Sequence, residues 1–540
     1  MATTGVDEAS YRSGDTSAPL SEQTIGDALR EAAAAGPDRR AVVEGAPGPG
    51  PLRTLTYGEL LIRAEAVARA LLTRFRPGEH VAVWSGNSLA WIELEYGAAL
   101  AGLVLVTANP AYQASELAYV LRQSRTAGLF HVASYRGNPM ADIVAEIRDD
   151  LPDLREVVDL AELDEFVATG DPDAELPSVR PDDRVQIQYT SGTTGFPKGV
   201  LLRHHAMLEN ARLTLQRMGV GPDDVCVWPM PLFHTAGCGM GVLGALTTGA
   251  TIVYLTVFDP ARQLELIEAE RATISGGVPT MLIAILAHPD LATRDTSSLR
   301  CTFSGGSPVP QEVARAVEER LGGRMSIVFG TTETAPIVTA TSPDDPEDVR
   351  TGTLGAPLPH TEVKIADPVD GEAVPVGTVG ELCVRGYCVM EGYYARPEAT
   401  AAVLDAAGWY HTGDLASMDA QGTLRVEGRI KDMIIRGGEN VYPREIEELL
   451  QRHPGVAEVA VVGCPDPHWG ETVAAFVRPA GDTAPTAEEL HAWCRAHLAA
   501  FKTPASWHVV DVMPVTASGK IRKNVLRERL VTAGTDAGGA

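Results

Sequence analysis

A run of small and hydroxyl-bearing residues that ends in a lysine follows an apolar stretch of the chain. It reads Tyr-Thr-Ser-Gly-Thr-Thr-Gly-Phe-Pro-Lys-Gly over residues 189–199. Small residues let backbone N–H groups approach an anion, hydroxyls add donors, and Lys198 adds a positive charge. The pattern is typical of a loop that grips phosphate, but not of a Walker A loop, because Gly199 stands where Ser or Thr would follow the lysine. The predicted phosphate-binding residues are Thr190, Ser191, Gly192, Thr193, Thr194, Gly195 and Lys198.

Five further polar motifs follow this loop along the chain. Taken singly, each is compatible with an ordinary turn or strand end, since Gly, Ser, Pro and Asp are common in turns. Taken together with the loop, they form an ordered set that extends to residue 522. The five motifs are Gly305-Gly-Ser-Pro308, Phe329-Gly-Thr-Thr-Glu333, Tyr410-His-Thr-Gly-Asp414, Gly428-Arg-Ile-Lys-Asp-Met-Ile-Ile-Arg-Gly-Gly-Glu-Asn-Val-Tyr-Pro443 and Pro514-Val-Thr-Ala-Ser-Gly-Lys-Ile-Arg522.

The loop and these five motifs resemble, in order and spacing, the signatures of the adenylate-forming superfamily. That superfamily includes acyl- and aryl-CoA synthetases, the adenylation domains of non-ribosomal peptide synthetases and beetle luciferases. The resemblance is closest to medium-chain acyl-CoA synthetases. It covers residues 189–522, whereas the region before residue 189 matches only in general texture.

The resemblance implies roles around the triphosphate and the adenine. Glu333 would be the Mg²⁺ ligand, because a carboxylate beside a triphosphate suits a hard cation that prefers oxygen. Thr332 would donate a hydrogen bond to the α-phosphate or to the substrate carboxylate. Phe329 would stack on the adenine, where the family more often has Tyr. The glycines and the serine that would surround the adenine are Gly305, Gly306, Ser307 and Gly330.

The resemblance also assigns residues to the ribose and to the reacting carboxylate. Asp414 would accept hydrogen bonds from the ribose hydroxyls, and Arg429 would reach the same ribose. Lys520 would enter the site during adenylation and bridge the substrate carboxylate and the phosphate.

A second conformation is implied by the motif that begins at residue 428. Lys431 matches the family's hinge, about which the small C-terminal domain rotates between two half-reactions. Gly437 and Gly438 would then let the pantetheine arm of CoA pass close to the backbone.

His234 bears on the identity of the acid. In relatives that activate amino acids the matching position holds an aspartate that pairs with the substrate amine, so a histidine here argues against an α-amino acid. In acyl-CoA synthetase relatives this histidine lies at the junction of the acyl and pantetheine sites. No charged side chain occurs among the predicted residues of the acyl pocket, which are Met230, Phe233, Gly277, Val278, Pro336 and Ile337.

The activity that follows is an acid–thiol ligation in two steps, with ATP, Mg²⁺ and CoA as cofactors and an apolar carboxylic acid as substrate. An alternative acceptor is a separate acyl carrier protein, because the chain has no carrier domain of its own. A luciferase-like oxygenase or a non-catalytic nucleotide-binding regulator is a further alternative. Lys198 and Lys520 argue against a non-catalytic regulator, and no redox-cofactor ligands are found.

The composition excludes several classes of partner. The net charge of -26 would repel nucleic acid and an anionic membrane surface. No apolar run approaches the ~20 residues that cross a bilayer, and the polar N-terminus is unlike a signal peptide. Seven scattered cysteines without a CxxC pair indicate reduced thiols and no structural zinc. A cytoplasmic monomer or homodimer is therefore expected.

The elements that must position these residues alternate between strand and helix. Strands such as those predicted at 185–189, 251–255 and 300–304, with helices between them, indicate α/β layers with mainly parallel sheets. The predicted fold is α/β, with a large N-terminal domain of two layered sheets and a β-barrel-like subdomain, and a small mobile α+β C-terminal domain. The predicted boundaries are a disordered head at 1–20, an N-terminal domain at 21–430 with its β-rich subdomain at about 335–428, a C-terminal domain at 431–530 and a disordered tail at 531–540.

Overall fold

The computed structural model describes residues 9–48, 52–190, 197–481, 483–515 and 521–536, with backbone alone for 531–536. These residues divide into two compact units. The larger unit comprises Arg12–Val363 and Val384–His411, and the smaller one Lys364–Cys383 and the chain from Thr412 onward, together with the stretch that ends at Tyr11.

A nine-stranded sheet forms one layer of the larger unit. Six neighbouring strands run parallel, from Arg324–Gly330 at one side to Arg40–Gly45 at the other. Antiparallel strands cover both edges. The strand order is Ala356–Pro357, Ile337–Ala340, Arg324–Gly330, Cys301–Gly305, Ile274–Gly276, Val225–Trp228, Thr251–Leu255, Arg40–Gly45 and Thr54–Thr56.

A seven-stranded sheet forms the second layer. Five of its strands are parallel, and the last two at one edge are antiparallel. His80–Trp84 and Val104–Ala108 are buried at every position, as expected for parallel strands covered on both faces. The strand order is Gly392–Tyr393, Lys198–Arg203, Arg184–Thr190, Val104–Ala108, His80–Trp84, Gly128–His131 and Glu156–Asp159.

Helices cover both sheets of the larger unit. Thr56 shows how the sequence starts them, because its side chain accepts from Glu59 N while the Glu59 side chain accepts from Thr56 N, a reciprocal cap. A π-helical turn, Cys238–Leu243, follows the loop that carries His234. The α-helices of this unit are Ile25–Ala35, Tyr57–Leu72, Leu89–Leu100, Ala114–Gln123, Met140–Ile147, Leu163–Val167, His204–Arg217, Gly244–Thr248, Pro260–Ala269, Pro279–Ala287, Gln311–Arg320, Glu347–Gly352 and Pro397–Ala401.

The smaller unit holds most of a five-stranded sheet and all of a second sheet. The first sheet has the order Tyr11–Ser13, Thr361–Ala366, Gly380–Gly386, Tyr410–Met418 and Leu424–Arg429. The second has the order Glu439–Val441, Ile434–Arg436, Gly470–Pro479 and Val456–Asp466, and Ser506–Val509 pairs in parallel with Gly470–Pro479. The α-helices of this unit are Pro443–Gln451, Ala487–His497 and Lys523–Asp536.

The predicted mixed α/β class is confirmed, but two details of the predicted ends are wrong. Tyr11–Ser13 is a strand within the predicted disordered head, and the helix Lys523–Asp536 enters the predicted tail. Backbone pairing and helical hydrogen bonds order segments whose composition alone indicates disorder. The seven cysteines form no disulfide. Within the described residues, no helix has the length and apolarity that a bilayer crossing requires.

Candidate active site

An antiparallel hairpin carries both ends of the predicted phosphate loop. Arg184–Thr190 pairs with Lys198–Arg203, and Thr190 lies opposite Lys198 at the end of the hairpin next to the loop. This register fixes where the loop leaves and re-enters the sheet. The predicted loop residues Ser191, Gly192, Thr193, Thr194 and Gly195 lie outside the described residues.

Lys198 and Glu333 meet at one tyrosine ring. The Lys198 Nζ lies 4.8 Å from the centroid of the Tyr393 ring. The Tyr393 hydroxyl donates to Oε1 of Glu333 at 2.8 Å. Burial, followed by the adjacent carboxylate, raises the pKa of Tyr393, so its hydroxyl stays protonated and remains a donor. A cation that can bind phosphate and a carboxylate that can bind a metal ion thus lie on the same tyrosine.

The segment that carries Thr332 and Glu333 is a short 3₁₀ turn between two paired strands. The turn is held by the Thr334 hydroxyl, which accepts from Thr331 N at 3.1 Å and donates to Pro336 O at 2.8 Å. Gly330 must be a glycine, because a Cβ there would lie 1.8 Å from Pro336 O. Phe329 and Thr332 remain partly exposed, whereas Glu333 is 8% exposed.

Four predicted motifs emerge at one edge of the nine-stranded sheet. They follow the strands Val225–Trp228, Ile274–Gly276, Cys301–Gly305 and Arg324–Gly330, which are parallel neighbours. The carboxyl edge of a parallel sheet is the usual place for a ligand site. The residues that the sheet brings to this edge are Met230, Phe233, His234, Gly277, Val278, Gly305, Gly306, Ser307, Phe329, Gly330, Thr332 and Glu333.

The loop with His234 is anchored by Asn87. The Asn87 amide donates to Met230 O at 3.1 Å and to Leu255 O at 2.8 Å, and its carbonyl accepts from Leu232 N at 2.8 Å. The Phe233 and His234 rings lie 4.4 Å apart between centroids. His234 is partly exposed and so is accessible to a substrate.

The predicted acyl-pocket residues lie at the ends of three strands of the nine-stranded sheet. Val278 Cγ1 lies 3.6 Å from the ideal Cβ position of Gly306, so these two positions are adjacent. Pro336 precedes the strand Ile337–Ala340, and Asn210 holds Ile337: its Nδ2 donates to Ile337 O at 2.6 Å and its Oδ1 accepts from Ile337 N at 2.9 Å. Four side chains of the set are at most 8% exposed, namely Met230, Phe233, Val278 and Ile337.

In the smaller unit, Asp414 and Arg429 lie directly opposite each other on paired strands. The Arg429 Nε donates to Asp414 Oδ1 at 2.9 Å. Asp414 is 6% exposed, and its backbone N–H donates to the Thr412 hydroxyl at 3.0 Å. The pair therefore presents a fixed carboxylate and an exposed guanidinium, the groups that the family resemblance assigns to the ribose.

Lys431 and the two predicted pantetheine glycines follow this strand. Desolvation, followed by repulsion from the Arg429 guanidinium, lowers the pKa of Lys431 to about 8, although the residue remains solvent-exposed. Gly437 and Gly438 form the two-residue turn of a hairpin, with φ of 61° and 89°. Both angles lie in the left-handed region that favours glycine. Lys520 lies outside the described residues.

Three residues that position the site are missed by the motif reasoning: Asn87, Asn210 and Tyr393. The part-buried amide of Asn87 and the buried amide of Asn210 act through backbone groups that lie 168 and 127 residues away in the chain. Such pairs leave no local pattern. The sequence Glu391-Gly-Tyr-Tyr394 offers an aromatic signal, but nothing in it indicates a contact with Glu333.

Sequence comparison finds two family matches. Residues 29–394 match the family described as AMP-binding enzyme, and residues 445–520 match the AMP-binding enzyme C-terminal domain. YngI of Bacillus subtilis (strain 168) is 41% identical, with 95% of this chain and 98% of YngI covered. The mitochondrial medium-chain acyl-CoA ligase ACSF2 of Rattus norvegicus is 36% identical, with 96% and 90% covered.

Solved structures resemble the chain over nearly its whole length. ATP-bound MatB from Rhodopseudomonas palustris has a TM-score of 0.85 at 30% identity, covering 94% of this chain and 99% of MatB. The anthranilate CoA ligase AuaEII in complex with anthranoyl-AMP has a TM-score of 0.86 at 27% identity, covering 96% and 99%.

Proposed function

The chain belongs to the family of AMP-binding enzymes, and from this premise we propose that it is an ATP-dependent acid:CoA ligase. It adenylates a carboxylic acid with release of pyrophosphate and then transfers the acyl group to CoA with release of AMP. The observation that carries the adenylation step is the cluster of Lys198, Tyr393 and Glu333 beside the phosphate hairpin. The CoA step is supported by the names of ACSF2 and AuaEII, which are CoA ligases.

Adenylation solves a problem of leaving groups. A carboxylate is a poor electrophile because its leaving group would be oxide. In the first step a carboxylate oxygen attacks the α-phosphorus of ATP, a new C–O–P linkage forms, and pyrophosphate leaves with the electrons of the broken P–O bond. Two anions must approach each other, so Lys198, Lys520 and the loop N–H groups neutralise charge, and the protein needs no nucleophile of its own.

Glu333 suits a magnesium ion that accompanies ATP. Its carboxylate is a hard oxygen ligand, which Mg²⁺ prefers. The Tyr393 hydroxyl occupies one acceptor position of Oε1, and an ionised carboxylate offers about four such positions. Mg²⁺ bound at Glu333 would supply positive charge to the triphosphate.

Separate residues are assigned to the ribose and to the adenine. Asp414, which Arg429 orients, accepts hydrogen bonds from the ribose hydroxyls. Phe329 stacks on the adenine, and Gly305, Gly306 and Ser307 form the turn beside it. These roles rest on the family signatures and on the strand ends that carry these residues.

In the second step the CoA thiolate attacks the acyl carbon and AMP leaves. The C-terminal domain, residues 431–530, rotates about Lys431 between the two steps. In the first step Lys520 is in the active site, and in the second step the turn at Gly437 and Gly438 takes its place. The exposed turn supports this role, because it carries no side chain that would obstruct a pantetheine arm.

The acid is apolar. Met230, Phe233, Val278 and Ile337 contribute buried apolar side chains at the sheet edge, and His234 stands where a relative that binds an amino acid has aspartate. Medium-chain fatty acids are the first acids to test, because ACSF2 carries that name. Aryl-aliphatic and bulky polycyclic acids complete the panel.

ATP–pyrophosphate exchange across this acid panel tests the proposal. We expect exchange with apolar acids, little with α-amino acids, and acyl-CoA formation when CoA is added. Lys520→Ala should abolish exchange while largely sparing thioester formation from supplied acyl-adenylate. Product formation only with a purified acyl carrier protein would show that the carrier protein, and not CoA, is the acceptor. Loss of both half-reactions in Lys520→Ala would contradict the two-conformation mechanism.

A further inference from the structure

Tyr393 is held rigidly beside the phosphate hairpin. The short strand Gly392–Tyr393 pairs antiparallel with Lys198–Arg203, with Tyr393 opposite Val200. Lys198 lies two residues from Val200 on the same strand, so its side chain leaves the same face of the sheet as that of Tyr393. The next backbone N–H, that of Tyr394, donates to Gly199 O at 2.8 Å.

Two groups of opposite charge contact different parts of the Tyr393 side chain. The hydroxyl donates to Glu333 Oε1 at 2.8 Å, and the ring lies 4.8 Å from the Lys198 ammonium. The latter distance is within the range over which a cation is attracted to an aromatic face. Tyr393 is 7% exposed, so both contacts are largely shielded from water.

The turn that carries Glu333 is fixed from the same strand region. Met390 N donates to the backbone carbonyl of Glu333 at 2.8 Å, three residues before Tyr393. The segment 390–393 therefore holds both the backbone carbonyl and the side-chain carboxylate of Glu333. The same segment pairs with the strand that carries Lys198.

We propose that Tyr393 is a positioning residue for adenylation, which sets the spacing between the magnesium-binding carboxylate of Glu333 and the phosphate-binding ammonium of Lys198. The inference rests on the proposed function. Tyr393 acts through these two side chains and not by contact with the reacting atoms. The Tyr393 hydroxyl fixes the orientation of the Glu333 carboxylate, and the Tyr393 ring fixes the position of the Lys198 ammonium.

Tyr393→Phe and Tyr393→Leu separate the two contacts. Phe removes the hydrogen bond to Glu333 and keeps the ring face for Lys198, whereas Leu removes both. Tyr394→Phe is the matched control, because it removes the hydroxyl of the neighbouring tyrosine and keeps the ring and the backbone bond from Tyr394 N to Gly199 O. Thermal unfolding of each variant checks that the fold is retained.

The first measurement is ATP binding by calorimetry with excess Mg²⁺ and with EDTA, without any acid. In Tyr393→Phe we expect the gain in ATP affinity due to Mg²⁺ to fall about tenfold, in the range seen when the partner of a metal ligand is removed, with little change in EDTA. Tyr393→Leu should also weaken ATP binding in EDTA, because Lys198 loses its ring. The control should match the parent protein.

The second measurement is the Mg²⁺ dependence of pyrophosphate exchange with an active acid. Tyr393→Phe should need about tenfold more Mg²⁺ for half-maximal rate and approach the parent rate at saturation. A parent-like Mg²⁺ dependence in both measurements would overturn the positioning role and leave the proposed function intact. Absence of exchange in the parent protein with every acid would instead contradict the proposed function, while calorimetry would still decide the role of Tyr393.

Discussion

Glu95 and Glu333 are both buried in the larger unit, but the charge of their surroundings differs. Glu95, 1% exposed, accepts from the Gln186 amide at 2.7 Å. Its Oε2 has no hydrogen-bond partner among the described residues. Burial, opposed weakly by Gln186 and the Cys238 thiol, raises the pKa of Glu95 to about 8. At neutral pH this carboxyl is therefore protonated.

Glu333, 8% exposed, lies beside a cation instead. The Tyr393 hydroxyl donates to its carboxylate, and the Lys198 ammonium lies over the ring of the same tyrosine. The contrast shows that burial alone turns a glutamate into a neutral structural group, whereas a nearby cation and a hydroxyl donor suit a carboxylate that binds a metal ion. Burial alone therefore accounts for the state of Glu95, whereas the role of Glu333 in metal binding stays a prediction.

The largest effect is expected from Glu333→Gln. An amide keeps the shape but removes the charge that a metal ion requires, so pyrophosphate exchange should fall by about 10³-fold, equivalent to roughly 4 kcal/mol. Glu391→Gln, at the ion pair with Arg184, is the matched control and should retain activity. Full exchange activity in Glu333→Gln would contradict the predicted metal-binding role of Glu333 and so its contrast with Glu95.

Lys198→Met should have the next largest effect. The change keeps the length of the side chain but removes the ammonium from the Tyr393 ring, so ATP KM should rise and exchange should fall by about 10–100-fold, the value of one charge-assisted contact. Lys502→Met, which breaks an ion pair with Glu445, is the control and should leave exchange unchanged. A drop only in thermal stability would show that Lys198 is structural.

Glu95→Gln should alter stability and leave exchange within about twofold. The folded pKa of about 8 lies above the unfolded value of 4.5. Below about pH 4.5 the titration of this carboxyl therefore does not reduce the free energy of unfolding. That free energy decreases as the pH rises from 4.5 to 8, and the decrease reaches about 3 kcal/mol at pH 7.

Urea unfolding of the parent protein and of Glu95→Gln at pH 5 and pH 8 measures this effect. We expect the variant to gain stability relative to the parent at pH 8 and to differ little at pH 5. The same pH dependence in both proteins would show that Glu95 is not the titrating group. Loss of exchange in this variant would make Glu95 part of the site.

Thr107→Val should have the smallest effect. The Thr107 hydroxyl donates to Gln188 Oε1 at 3.0 Å, and the Gln188 amide in turn donates to Gln186, the partner of Glu95. Leaving that buried oxygen without its donor should cost about 1–2 kcal/mol of unfolding free energy, with exchange unchanged. Ser298→Ala, which loses one partly buried hydroxyl bond, gives the background value.

The sequence predicts much of the fold because its elements have strong local patterns. The predicted strand at 251–255 agrees with Thr251–Leu255, and the predicted strand at 185–189 lies within Arg184–Thr190. The site residues at the edge of the nine-stranded sheet lie there because they follow four parallel neighbouring strands. The roles of Glu333, Asp414 and Lys520 in the reaction, and the hinge at Lys431, stay predictions.

By itself, the sequence determines which side chains are available for phosphate, ribose and acyl chemistry, because each motif is contiguous. It does not determine which of them are paired. The bond from Tyr393 to Glu333 spans 60 residues and depends on the register of two strands, which no local pattern encodes. The same holds for Glu95, whose neutral state follows from burial among distant neighbours. Tertiary structure decides the charge and orientation of these groups, since both depend on what surrounds them in space.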